Sequence, residues 1–111
     1  MGKQQTTRSG NDIRLSKPQK VPILLSTRSR GLKLTKYKYL VDKGCTVADF
    51  TSAVRTSCKL KPELALFFFC NNALLSPMHE LSVVDEAYRM KDGFLYVTVE
   101  TENCFGSTHF V

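Results

Sequence analysis

Hydrophobic positions recur along this chain with two periods, and the points where the period changes mark its elements. "KVPILLS" (Lys20 to Ser26) is a continuous apolar run rich in β-formers, with Pro22 near its start. It reads as a strand whose proline belongs at an edge or at a strand's first residues. "RSRGLKLTKYKYLV" turns at Gly31, places Leu32 and Leu34 in alternation, and runs through a lysine–tyrosine stretch to Leu40 and Val41, which predicts a second strand joined to the first by a basic turn. The period then lengthens. Val47, Phe50, Val54 and Cys58 recur every three or four residues behind Thr46 and Asp49, a helical stripe with a capping-box start. The run from Leu64 to Cys70 is too short for a helix and stops at Asn71 and Asn72, so it reads as a strand and a tight turn. "SPMHELSVVDEAYRMKDG" predicts a second short helix with Val84, Ala87 and Tyr88 inward, and "FLYVTV" a last strand.

The order is strand, strand, helix, strand, short helix, strand. A single helix between a hairpin and the remaining strands is the β-grasp arrangement, an α+β fold with a four-stranded mixed sheet packed on one main helix plus a short second helix. At 111 residues the chain is one domain, large enough to bury a core without staples. Residues 1–19 show neither period and hold only Ile13 and Leu15 as sizeable apolar side chains after Met1, so they are expected to form a basic, loosely held arm. The folded body is then 20–100, with a tail from 101 onward.

Charge adds a direction to this picture. Residues 1–38 hold ten Lys or Arg and one acid, while 39–111 hold six bases and nine acids. The basic end favours an anionic partner such as an acidic peptide, a membrane surface or nucleic acid. Lys36 and Lys38 interleaved with Tyr37 and Tyr39 resemble a nucleic-acid stacking platform, but they equally suit an edge strand whose lysines discourage aggregation, and nucleic acid is not the expected partner. No apolar run approaches the ~20 residues that span a bilayer, and the first twenty residues hold no apolar signal segment, which points to the cytoplasm or nucleus. "MGKQQT" fits an N-myristoylation pattern at Gly2, with Thr6 at the hydroxyl position.

Candidate chemistry is sparse. Cys45, Cys58, Cys70 and Cys104 form no C-x-x-C pair and read as reduced thiols; with His79 and His109 they are too scattered to predict a metal site. Cys104 and His109 lie together on a tail that cannot hold a catalytic pair in register, and neither HExxH nor a glycine-rich phosphate loop is present. The chain therefore reads as a protein bound or acted upon, with no enzyme activity and no cofactor.

"KYLV" (Lys38 to Val41), "TVADF" (Thr46 to Phe50), Arg55 and above all "KDGFLYVTVETENCFG" (Lys91 to Gly106) resemble the autophagy-related protein 8 family, the ubiquitin-like modifiers that include GABARAP, over about three quarters of the chain. The resemblance implies a ubiquitin-like β-grasp fold and a cysteine protease that cuts after Gly106, beside Phe105. It makes 101–106 a conjugation tail and 107–111, "STHFV", a removable extension. An activating and a conjugating enzyme would then carry the carboxylate to phosphatidylethanolamine on the autophagosome membrane. Glycine suits that role, because a tail without a Cβ at its end enters a narrow channel and presents its carbonyl unhindered. The resemblance also implies binding of short aromatic-x-x-aliphatic peptides flanked by acids, added as a strand beside the second strand. The aromatic pocket would draw on Pro22, Leu24, Lys38, Leu40 and Phe94, and the aliphatic pocket on Tyr39, Val41, Phe50 and Val54, with Arg55 for an acid. A monomer is expected.

The chain departs from the family pattern in places. The family has two N-terminal helices before its first strand, and residues 1–19 are too short and polar for both. Asp42, Cys45 and Ala53 replace a proline, a leucine and an aliphatic, which would widen or weaken the second pocket. These changes leave open a drift towards autophagy-related protein 12, a modifier joined to a protein lysine; from another class, a basic β-grasp nucleic-acid module remains.

Overall fold

The structure is a computed structural model in which residues 9–101 are described. Eight elements follow one another: α1 (Gly10–Ser16), β1 (Lys20–Thr27), β2 (Lys38–Asp42), α2 (Val47–Ser57), β3 (Leu66–Cys70), β4 (Ala73–Leu74), α3 (Leu81–Tyr88) and β5 (Leu95–Thr101). The strands form one sheet in the order β2-β1-β5-β3-β4. β1 runs antiparallel to β2 and parallel to β5, and β3 is antiparallel to both β5 and β4. This is the ubiquitin-like architecture, a mixed sheet laid against α2.

The local signals act as the sequence predicts. Thr46 accepts from the Asp49 amide at 3.1 Å while the Asp49 carboxylate accepts from the Thr46 amide at 3.0 Å, a complete capping box. An eleven-residue helix is marginal by itself, so packing must hold it. Val47, Phe50 and Val54 are buried along one stripe of α2, each contributing roughly 1.5–3 kcal/mol on full burial. Phe50 sits edge-on between Tyr39 and Phe68, with ring centroids 5.2 and 5.5 Å away. Strand alternation supplies the facing layer: Val21, Ile23 and Leu25 of β1 and Leu95, Val97 and Val99 of β5 are all buried. Asn71 and Asn72 take left-handed φ values of 52° and 67°, the conformation a two-residue hairpin needs between β3 and β4.

Several elements differ from the sequence expectation. The sheet has five strands because the residues after Asn72 pair back as β4. The second strand starts only at Lys38. Leu32 and Leu34 are buried as the alternation predicts, but they lie in a loop with no strand partner. β1 is an inner strand, and its proline fits for a reason of register: Leu25 donates to the Tyr37 carbonyl and Lys43 to the Gln19 carbonyl, so odd positions of β1 bond β2. Pro22 faces the other side, where pairing with β5 begins only at Ile23. In α3 the inward positions are Leu81, Val84 and Asp85, with Tyr88 half-buried; Ala87 points to solvent.

The largest difference lies in the N-terminal segment. Residues 10–16, expected within a loosely held arm, form α1, capped by Ser9 accepting from the Asp12 amide. Seven residues cannot hold a helix alone, and α1 is held by its neighbours. Its start lies directly on the turn into β5, so close that a Cβ added to Gly10 would sit 2.3 Å from the Gly93 carbonyl carbon. Gly93 itself has φ +89°. Asn11 donates from its amide to the Asp92 carbonyl at 3.1 Å and from its side chain to the Lys91 carbonyl at 2.8 Å. Arg14 donates to the Gly93 carbonyl and forks onto both Asp85 oxygens at 2.8 and 2.6 Å. With Arg14 14% and Asp85 4% exposed, this pair is largely out of water.

Removing one partner of such a pair leaves a buried charge. Arg14→Ala is expected to lower unfolding stability by about 3 kcal/mol, measured by urea denaturation; a loss below about 1 kcal/mol would show that the pair behaves as a surface contact.

Candidate functional site

β2 lies at one end of the strand order, with β1 on one side and an open edge on the other. Because its odd residues bond β1, the backbone groups of Lys38 and Leu40 point along that open edge. An extended peptide could add there as a further strand. Lys20 and Asp42 close one end of the hairpin with an ion pair at 2.6 Å.

The two faces of β2 offer different surfaces. Register places Leu40 opposite Pro22 and Lys38 opposite Leu24, on the face of the sheet away from α2. The Lys38 ammonium reaches to 6.0 Å from the Phe94 ring centroid. All five residues expected to line an aromatic pocket are thus brought together. Leu40 is 40% exposed, Leu24 half-buried, and Pro22 and Phe94 form the buried base. An aromatic side chain entering here would meet apolar walls and, beside them, the Lys38 ammonium, a cation of the kind that aromatic faces attract.

On the α2 face the expected residues are mostly core. Tyr39 is 6% exposed, Phe50 1% and Val54 0%, leaving half-buried Val41 at the rim. An aliphatic anchor reaches Phe50 or Val54 only if α2 moves away from β2. Arg55 donates from one guanidinium nitrogen to the Lys61 and Leu64 carbonyls, at 2.7 and 2.8 Å, so it braces the turn after α2. Ala53 and Asp42 are exposed and Cys45 is half-buried beside this seam.

A buried polar contact underlies the same seam. The Tyr39 hydroxyl lies 3.6 Å from the Cys58 sulfur, and the Lys36 ammonium 4.8 Å from the Tyr39 ring centroid. Burial, reinforced by Cys58, raises the Tyr39 pKa. At Cys58 burial also opposes ionisation, yet donation from Tyr39 and from the Thr35 and Lys36 backbone outweighs it and lowers the thiol's pKa. Cys70, by contrast, is pushed up to about 12 by burial and by nearby Asp85. Neither sulfur has the exposed setting of a nucleophile. Cys45, Cys58 and Cys70 are free thiols, and among the described residues no group of His, Cys, Asp and Glu is placed to hold a metal. Gly2, Cys104, Phe105, Gly106 and His109 lie outside the described residues.

A family model described as "Autophagy protein Atg8 ubiquitin like" matches residues 5–106. The chain belongs to the Atg8 family. Autophagy-related protein 8 of Schizosaccharomyces pombe is 35% identical over 97 residues, covering 86% of this chain and 80% of that protein. Autophagy-related protein 8e of Arabidopsis thaliana is 36% identical over 98 residues, covering 86% and 80%. Among solved structures, Trypanosoma brucei ATG8 superposes with a TM-score of 0.78 at 29% identity, covering 84% of this chain and 82% of that one. Plasmodium falciparum Atg8, solved in complex with a Plasmodium falciparum Atg3 peptide, superposes with a TM-score of 0.71 at 22% identity over 82% and 83%. This Atg8-family chain is accordingly a ubiquitin-like modifier of autophagy.

The features that sequence reasoning missed are contacts between distant residues: Gly10 against Gly93, Arg14 on Asp85, and Tyr39 on Cys58. A glycine preceding an acid-containing short segment is too weak a signal to find them. The last contact has a direct test. Tyr39→Phe removes a donor to the thiolate, so the Cys58 titration midpoint is expected to move upward, followed by 13C NMR of labelled cysteine; an unchanged midpoint would leave the backbone donors alone in control.

Proposed function

We propose that this Atg8-family protein is a substrate of conjugation and a peptide-binding module, not itself an enzyme. A cysteine protease hydrolyses the peptide bond after Gly106 and releases "STHFV". The freed carboxylate is first activated as an acyl-adenylate by ATP, with loss of pyrophosphate. Cysteine thiolates of an activating and then a conjugating enzyme take it as a thioester, with AMP leaving, and the amine of phosphatidylethanolamine displaces the last thiol to form an amide. The protein then moves from the cytoplasm to the autophagosome membrane and presents β2 outward. The observation that carries this reading is the family match, which reaches Gly106 while the chain continues five residues beyond it. The docked α1 favours the lipid-linked modifier over the protein-linked alternative that lacks N-terminal helices.

At the β2 edge, acid-flanked aromatic-x-x-aliphatic peptides bind chiefly through their aromatic residue. Pro22, Leu24, Lys38, Leu40 and Phe94 supply that site, and Lys38 attracts a flanking acid. The aliphatic residue rests on Val41 at the rim, because Tyr39, Phe50 and Val54 are filled in by their own packing. Arg55 contributes by fixing the α2 terminus.

Cleavage and attachment are read by intact mass spectrometry of the protein recovered from its own cells. The expected species has lost "STHFV" and gained a phosphatidylethanolamine adduct, and Gly106→Ala abolishes both changes. Retention of "STHFV" on every molecule would overturn the processing claim, and membrane attachment persisting in Gly106→Ala would move the anchor to a myristoyl group on Gly2, visible in the same spectrum. For the groove, Leu40→Asp is expected to weaken a Trp-x-x-Leu peptide with flanking acids by about tenfold or more in fluorescence polarisation. Unchanged affinity would place the peptide elsewhere.

A further inference from the structure

Loop 28–37 carries charge that neither the fold nor the peptide groove uses in full. Residues 28–38 hold Arg28, Arg30, Lys33, Lys36 and Lys38 and no acid. Arg28 is tied to buried Glu100 at 2.9 Å, and Lys38 faces the groove. Arg30, Lys33 and Lys36 project to solvent, with Tyr37, 58% exposed, among them.

The loop holds these groups in a fixed display. Leu32 and Leu34 are buried in the core, which turns Lys33 between them outward. The Thr35 hydroxyl donates to the Ser57 carbonyl at the end of α2, and Leu25 donates to the Tyr37 carbonyl. A depression of about 440 Å³ opens on this surface, lined by Ser26, Thr27, Leu32, Lys33, Leu34 and Tyr37. It combines hydroxyls, an ammonium and apolar walls, and the Lys33 ammonium can donate to a phosphate oxygen there.

Position gives the surface its partner. β1 and β5 are parallel, with Thr27 opposite Val99, so both strands end at the same side of the molecule. The Ser29 hydroxyl accepts from the Thr101 amide at 3.1 Å and donates to Glu100 at 2.9 Å, so the loop begins where β5 ends. Gly106 lies five residue steps beyond Thr101, a reach of at most roughly 18 Å. A lipid at Gly106 would therefore limit how far this loop can lie from the bilayer to about that reach, so its charges can enter the roughly 8–10 Å over which the surface potential decays.

We propose that loop 28–37 binds anionic lipid headgroups beside the tethered tail, through Arg30, Lys33 and Lys36 with Tyr37 at the interface, and so sets which side of the protein faces the membrane. The inference rests on the reading that Gly106 carries lipid. Its test does not need that step, because vesicle binding by the untethered full chain requires no enzyme.

The full chain is floated with phosphatidylcholine vesicles, with and without about 30% phosphatidylserine. Binding is expected only with phosphatidylserine, and to fall at least about tenfold between about 0.05 and 0.5 M salt. The combined variant R30S/K33S/K36S is expected to lose binding to the same degree, while K59S/K61S/K91S, which removes equal charge elsewhere, retains it. The chain has no tryptophan, so Tyr37→Trp supplies a single fluorophore whose emission is expected to shift blue on the anionic vesicles. Equal loss in both triple variants, no preference for phosphatidylserine, or no shift at Trp would overturn the proposal. So would displacement from vesicles by a single-stranded RNA that binds more tightly, since the loop would then be a nucleic-acid surface. Failure of Gly106 cleavage in cells, with vesicle binding intact, would instead remove only the tethering step.

Discussion

The parallel pairing of β1 with β5 is the constraint on which the other features hang. It joins segments some seventy residues apart in the chain, so its closure entropy must be offset by what the closed sheet buries. Both strands are inner strands, and each presents buried valine, isoleucine or leucine to α2. Once they are paired, the rest has little freedom. β2 can add only outside β1, and β3 only outside β5, which leaves β2 and the two-residue β4 at the edges. The longer edge is the one available to a partner strand.

Polar groups withdrawn from water reinforce that frame at both ends. At the start of β5, Arg14 and Asp85 satisfy one another across 71 residues of sequence, and Arg14 also caps the Gly93 carbonyl. At its end, Glu100 accepts from Arg28 and from the Ser29 hydroxyl, which in turn accepts from the Thr101 amide. Each cluster meets the requirement that a buried charge be paired and hydrogen-bonded. They differ in what they hold: the first docks a helix, the second docks a loop.

How much of this was legible in the sequence depended on whether the cause was local. The Thr46 and Asp49 box, the Asn71–Asn72 turn, the α2 stripe and the alternation in β5 are each fixed within a few residues, and each appears as the pattern predicts. α1 was invisible because nothing in Gly10–Ser16 makes a stable helix; the turn at Gly93 and the carboxylate of Asp85 do, from far along the chain. The late start of β2 has a similar origin, since Leu32 and Leu34 alternate as strand residues should but find no strand beside them. At the site, resemblance located the residues and register brought the Pro22–Leu40 and Leu24–Lys38 pairs onto one face. Apolar character alone could not separate a wall from a filled core, and so Phe50 and Val54 looked the same in sequence as Leu40, although only Leu40 keeps substantial exposure.

The strand directions also have a mechanical meaning. A pull on the chain beyond Thr101, resisted by something held along β2, travels sideways from β5 through β1 and loads their ladder along its length. Hydrogen bonds strained in that direction share the force and must fail together, whereas a hairpin pulled from its open end unzips one bond at a time. A tether beyond Thr101 and a load along β2 would thus be joined through bonds that share the force.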